Sequence, residues 1–173
     1  MTFFSYFGGK IFRAEKINTH GGSLRIYVKN NLNTKIEKNI KDLLKEEEKF
    51  GIKDYKIYQE FAKKVYKIRD KVRKNISDLK KNNNKIVGYG SPAKATTALN
   101  FFGISNEIDC IIEDNKLKQG KFLPGMKIPI ISKENLKEKS DYLLVLAWNF
   151  FDEIKKKNGN LAHKFISIKD LEI

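Results

Sequence analysis

From residue 85 onward the chain changes rhythm, and that change limits its fold more than any other feature. The apolar run "KIVGYG" leads into a helical segment over 92–102, then a strand "EIDCIIED", a loop and a short "IPIIS". Helix 133–139, strand "DYLLVLAW", helix 150–157 and strand "HKFISI" complete the series. Strands alternating with helices predict parallel βαβ units, so the fold class is α/β with a small Rossmann-like parallel sheet of four or five strands. In "YLLVLA" the apolar run is continuous, the pattern of a strand buried on both faces. Cys110 falls in such a strand with no activating base beside it, and reads as an inert buried thiol.

Two other regions precede this one, giving boundaries at 1–33, 34–84 and 85–173. Residues 10–30 hold two strand-like runs around Gly21-Gly22, a hairpin signal. Leu24, Ile26 and Val28 alternate with Arg25, Tyr27 and Lys29, as in a strand with one buried face. A lone hairpin is barely stable in water, so it must pack on something. Residues 34–84 read as a helical connector. Thr34 and Glu37 have capping-box spacing, and Ile36, Ile40, Leu43 and Leu44 mark one face. Gly51 breaks that helix. A second follows with Phe61, Val65, Ile68, Val72, Ile76 and Leu79 spaced by threes and fours, a stripe that must pack on the next region. "KKNNNK" then ends it.

Composition narrows the function classes. The net charge of +14 invites a nucleic-acid reading. Of the 35 basic residues, however, only Arg13, Arg25, Arg69 and Arg73 are arginine, the residue favoured for base readout and bidentate phosphate contacts. Solvated lysine faces account for the charge, and no nucleic-acid partner is expected. No apolar run reaches the ~18 residues of a membrane span. The single cysteine forms no internal disulfide, so a cytoplasmic, reducing compartment is expected.

The chemistry concentrates at "KIVGYGSPAKATTALNFFG", residues 85–103. Gly88 and Gly90 permit a tight turn and a close approach of backbone to ligand. Ser91 is placed as N-cap and Pro92 as first helical residue. The helix N-terminus favours an anion, and Lys94 in its first turn makes sense if a phosphate meets both. The spacing fits G-x-G-x-x-A, with Glu113 and Asp114 ending the next strand where a dinucleotide fold holds its ribose-binding acid. Pro92 and Lys94 are unusual in such a fingerprint, and a well-capped helix without ligand is the plain alternative. The loop 113–125, with Lys118, and "AWNF", with Trp148 and Asn149, also lie where strands end. His20, His163 and Cys110 lie in unrelated segments, so no metal site is expected. No nucleophilic triad is defensible, and the catalytic residues stay unknown.

Four stretches, in order, carry a resemblance: "THGGSLRIYV" (19–28), "GYGSPAKATTALNFFGI" (88–104), "EDNKLKQGKFLPGMKIPI" (113–130) and "LAWNFFDEI" (146–154). Together they resemble the C-terminal domain of SAM-dependent C-methyltransferases acting on nucleotide-linked sugars, across roughly residues 10–160. The resemblance implies a Rossmann-like domain that faces a nucleotide-activated deoxy-keto sugar, while SAM binds a preceding domain. It implies an enolate, formed beside the sugar ketone, that attacks the SAM methyl. The zinc cysteines, the glycine-rich SAM loop and the Tyr/Glu/His segment of that family have no counterpart here. Residues 1–33 then read as a β-hairpin remnant of the methyltransferase domain, and the chain by itself is expected to bind no cofactor and to lack activity. A separate SAM-binding chain or domain is an expected partner. Gly88, Gly90, Ser91 and Lys94 match the family's glycine-lysine turn and are assigned to the pyrophosphate region. His20, Arg25, Lys118, Trp148 and Asn149 match family motifs and complete the substrate-binding set. The rival readings are a non-enzymatic nucleotide-binding or assembly module and an NAD-binding oxidoreductase domain.

Overall fold

A computed structural model of the chain describes residues 2–19 and 21–172, so the expectation for His20 lies outside the described residues. The backbone divides into two compact units, Met1–Phe61 and Ala62–Ile173.

The first unit opens with a short helix, α1 (Thr2–Tyr6), and the expected hairpin, β1 (Lys10–Ile17) and β2 (Ser23–Lys29). The strands pair antiparallel, Lys10 opposite Lys29 and Ile17 opposite Ser23, with a bulge between Ile11 and Arg13. Helix α2 (Lys38–Phe50) covers the hairpin, and Ile11, Ala14 and Ile40 form the small core. The expectation of a buried face on β2 is corrected here. Helix α2 packs on β1, which leaves Leu24, Ile26 and Val28 at 53%, 37% and 38% exposure. The expected Thr34 cap is also displaced. The Glu37 N–H donates to the Phe12 carbonyl at 2.9 Å, which ties this segment to β1 and keeps it extended until Lys38. Gly51 ends α2 in the left-handed region at φ +80°, where its N–H reaches the Glu47 and Glu48 carbonyls.

Helix α3 (Tyr55–Lys81) carries the long apolar stripe. Its C-terminal half does the packing: Val72 and Ile76 are fully buried, with Ile68 and Leu79 beside them, whereas Phe61 stays exposed. Asn84 closes the helix by donating its side-chain amide to the Leu79 carbonyl at 2.7 Å.

The second unit is the expected parallel sheet, five strands in the order β5-β4-β3-β6-β7. The strands are β3 (Ile86–Tyr89), β4 (Cys110–Ile112), β5 (Ile130–Ile131), β6 (Ser140–Val145) and β7 (Ala162–Ile166). Helix α4 (Ala93–Phe102) joins β3 to β4, and α5 (Phe151–Lys157) joins β6 to β7. Alternate residues of each strand face opposite sides. Ile86, Ile111, Leu144 and Leu146 face α3 and α4, while Val87, Ile112, Leu143 and Val145 face α5. The continuous run Leu143–Leu146 is accordingly buried throughout. Cys110 is half-buried at the start of β4, and burial, then the Asp109 charge, pushes its thiol upward.

Several element ends differ from expectation. The helix expected over 133–139 is one 3-10 turn, Lys133–Asn135, because only Leu136 in that stretch has apolar bulk to bury. A second 3-10 turn, Trp148–Phe150, precedes α5. The strand expected over 107–114 shortens to Cys110–Ile112, as Asp109 turns its side chain onto the Ile86 N–H at 3.0 Å. No helix among the described residues is long and apolar enough to cross a membrane.

Candidate functional site

The chain leaves β3 toward β4 on one side and, from the adjacent β6, toward β7 on the other. That reversal opens a crevice beyond the carboxyl ends of β3 and β6, the place where open α/β sheets hold ligands. Here the crevice is a cavity of about 410 Å³. Its floor is Tyr89 at the end of β3, Gly90 just after it and Ala147 just beyond β6. Glu113, Asp114 and Lys118 form one wall, and Phe150, Glu153, Lys157 and Asn158 the other.

The two glycines of the turn earn their places differently. Gly90 sits at φ +86°, and a Cβ there would lie 3.2 Å from the Ala147 Cβ. Gly88 has ordinary backbone, but a Cβ on it would stand 3.0 Å from Ile111 Cγ1 and 3.1 Å from Leu146 Cδ1. Gly88 therefore lets side chains close over β3, and Gly90 lets the chain turn out of the sheet.

Ser91 does not cap α4, contrary to expectation; Pro92 occupies the N-cap position in an extended conformation. The reason is Glu113. One of its oxygens, Oε2, accepts the Ser91 N–H at 2.8 Å and the Ser91 hydroxyl at 2.5 Å. The other accepts the Asn115 N–H at 3.0 Å. Lys118 Nζ donates to the Ser91 carbonyl at 2.9 Å and stands 3.6 Å from Glu113. Burial pushes the Glu113 carboxyl upward, but the Ser91 hydroxyl, the Asn115 and Ser91 N–H groups and the Lys118 charge outweigh it. The net shift is below the ordinary glutamate value. The anion held by the β3–α4 turn is thus an internal carboxylate. The N–H groups of Ala93 and Lys94 donate to no backbone carbonyl among the described residues.

Tyr89 is buried, and its hydroxyl donates to Asp114 Oδ2 at 2.8 Å. Burial first, then that hydrogen bond, pushes the phenol up to about 12. The side chain of Asn158, also buried, donates to the Ile154 carbonyl at 2.9 Å, and its amide pulls the phenol partway back down.

Of the residues expected at the site, Gly90, Ser91 and Lys118 line this crevice, whereas Gly88 lies within β3 against Ile111 and Leu146. Lys94 and Trp148 meet each other instead, with the ammonium 4.5 Å from the indole centroid. Lys94 also lines a separate apolar groove of about 400 Å³ with Val65, Ile68, Ala98, Phe101 and Phe102. Asn149 is exposed in the 3-10 turn, and its neighbour Phe150 faces the crevice. Arg25 is exposed on β2 of the first unit. Among the described residues, no group of three or more His, Cys, Asp and Glu gathers as metal ligands do. Sequence reasoning missed Tyr89, Phe150, Lys157 and Asn158. The tyrosine between the two glycines and the phenylalanine that ends "AWNF" were the available signals, since Lys157 and Asn158 lie beyond any motif.

The chain matches the family described as C-methyltransferase C-terminal domain over residues 18–167. It is also 31% identical over 156 residues to "C-methyltransferase NovU" of Streptomyces niveus, covering 88% of this chain. The chain spans 37% of that relative's length. The match embraces the β2 strand, both helices of the connector and the whole crevice-bearing sheet, and the chain belongs to the C-methyltransferase C-terminal domain family.

Proposed function

We propose that this chain is the substrate-side domain of a SAM-dependent C-methyltransferase, and that its crevice receives a nucleotide-linked deoxy-keto sugar. The observation that carries this is the crevice itself. It lies at the sheet's switch point, is built from three of the four family-like stretches, and is framed by a glycine turn and a helix N-terminus. Gly90 brings the backbone close to the ligand. Lys118 contributes a cation, and the N–H groups of Ala93 and Lys94 are donors for a diphosphate oxygen. Glu113 positions Ser91 and Lys118.

The methyl donor is then bound by residues outside this chain, in a separate domain or subunit. Proton removal beside the ketone likewise takes place there, and this chain holds and orients the substrate. The protein is a cytoplasmic one in this reading.

Thermal-shift measurements with uridine diphosphate, thymidine diphosphate, NAD and SAM test the proposal, since a ligand that binds only the folded state raises its melting temperature. A rise with a nucleoside diphosphate and none with SAM is expected. A rise with NAD alone supports the oxidoreductase reading, and a rise with SAM alone overturns the division of labour.

A further inference from the structure

We infer that the crevice holds the nucleoside end of the substrate, with Asp114 accepting hydrogen bonds from the pentose hydroxyls and Phe150 offering its ring to the base. The inference rests on the reading of the crevice as a nucleotide seat and adds the direction in which the nucleotide lies.

It begins with two consecutive acids beyond β4. Both line the cavity, but Glu113 is engaged by the Ser91 N–H and hydroxyl and braces the glycine turn, whereas Asp114 meets only the Tyr89 hydroxyl. The charges of the crevice are then paired off. Glu113 has Lys118 beside it, and Glu153 has Lys157 at 2.7 Å. Asp114 is left with one hydrogen bond, from Tyr89 to Oδ2, and Oδ1 takes none among the described residues. Lys157 feels the Asp114 charge without a hydrogen bond to it.

A carboxylate only accepts hydrogen bonds, so a group that brings donors suits it and a phosphate is repelled. Pentose hydroxyls are uncharged donors. Tyr89 is buried, so the Asp114 side chain is held by a group that is itself fixed. On the opposite wall Phe150 is 58% exposed yet faces the cavity, a flat apolar surface of the kind on which bases stack. The diphosphate then leaves the crevice past the first turn of α4, away from Asp114.

Isothermal titration of the 173-residue chain with uridine diphosphate and 2′,3′-dideoxyuridine diphosphate tests this, with the thymidine pair in parallel. The dideoxy compound should bind roughly tenfold more weakly to the native chain, the loss expected when hydrogen bonds to a charged group are removed. In Asp114→Ala the gap should close to within about twofold, because the acceptor is gone. Asp114 is exposed, and circular dichroism verifies that the variant keeps its fold. Phe150→Ala should weaken the hydroxylated and dideoxy forms equally. Equal affinity of the native chain for both members of a pair overturns the inference while leaving the nucleotide reading intact. Failure of all four compounds to bind at millimolar concentration removes that reading and the inference with it.

Discussion

Ser91 gives both of its donors, the backbone N–H at 2.8 Å and the hydroxyl at 2.5 Å, to the same oxygen of Glu113. A carboxylate from the end of the neighbouring strand therefore occupies the turn that a phosphate-binding loop leaves open. The turn is rigid before any ligand arrives, and its shape depends on one side chain.

Glu113→Ala leaves the nearly buried Ser91 donors without their acceptor. The expected cost is about 1–3 kcal/mol, read as a lower urea midpoint at neutral pH. Because the folded carboxyl lies below its ordinary value of 4.5, its stabilising effect is fully present above that value and is lost as pH falls through the folded value. Glu113→Gln should consequently lose stability less steeply than the native chain below about pH 4.5. Parallel acid profiles for the two proteins would contradict this.

The two glycines should fail in different ways. Gly90→Ala forces a Cβ into positive φ, at a cost of roughly 1–3 kcal/mol. Gly88→Ala crowds Ile111 and Leu146 on the buried face of the sheet, at about 1–3 kcal/mol through overpacking. Cutting Leu146 back to Ala should cost less in the Gly88→Ala chain than in the native one, and the full cavity cost in Gly90→Ala, and denaturation midpoints of the single and double variants decide it.

Lys94 over Trp148 has its own optical report, since Trp148 is the single tryptophan of the chain. Lys94→Ala should change the tryptophan emission while lowering stability by about 1 kcal/mol, the worth of a half-buried cation–π pair. If the diphosphate reaches the first turn of α4, the same variant also weakens uridine diphosphate binding. Unchanged affinity removes Lys94 from the site.

Tyr89 should titrate late. Its folded value near 12 lies above the ordinary 10, so its contribution to stability is complete below pH 10 and declines between pH 10 and about 12. Spectrophotometric titration of Tyr89→Phe, subtracted from that of the native chain, should isolate one phenol ionising in that upper range. A difference centred at pH 10 would show that Tyr89 is neither buried nor bonded to Asp114.

Much of the fold was legible in local pattern. The continuous apolar run Leu143–Leu146 announced a central parallel strand, and the stripe through Val72 and Ile76 announced a packing helix. The alternation of elements after residue 85 announced the class. Element ends were less legible, because they depend on which backbone groups find partners. Thr34 has the spacing of a cap, yet the bond from Glu37 to Phe12 moves the start of α2. Leu24, Ile26 and Val28 have the alternation of a buried face, yet α2 lies over the other strand.

By itself, the sequence determined the strand–helix order, the glycine turn after β3 and the family to which the motifs point, all properties of neighbours along the chain. The tertiary structure alone decided what that turn does with its donors. Glu113 lies 22 residues from Ser91 and Asp114 lies 25 from Tyr89, and both pairs exist only because β3 and β4 run side by side. The opening between β3 and β6 likewise comes from strand order, which spacing does not encode. Lys94, placed by sequence to face a phosphate, rests on an indole that folding brings from 54 residues away.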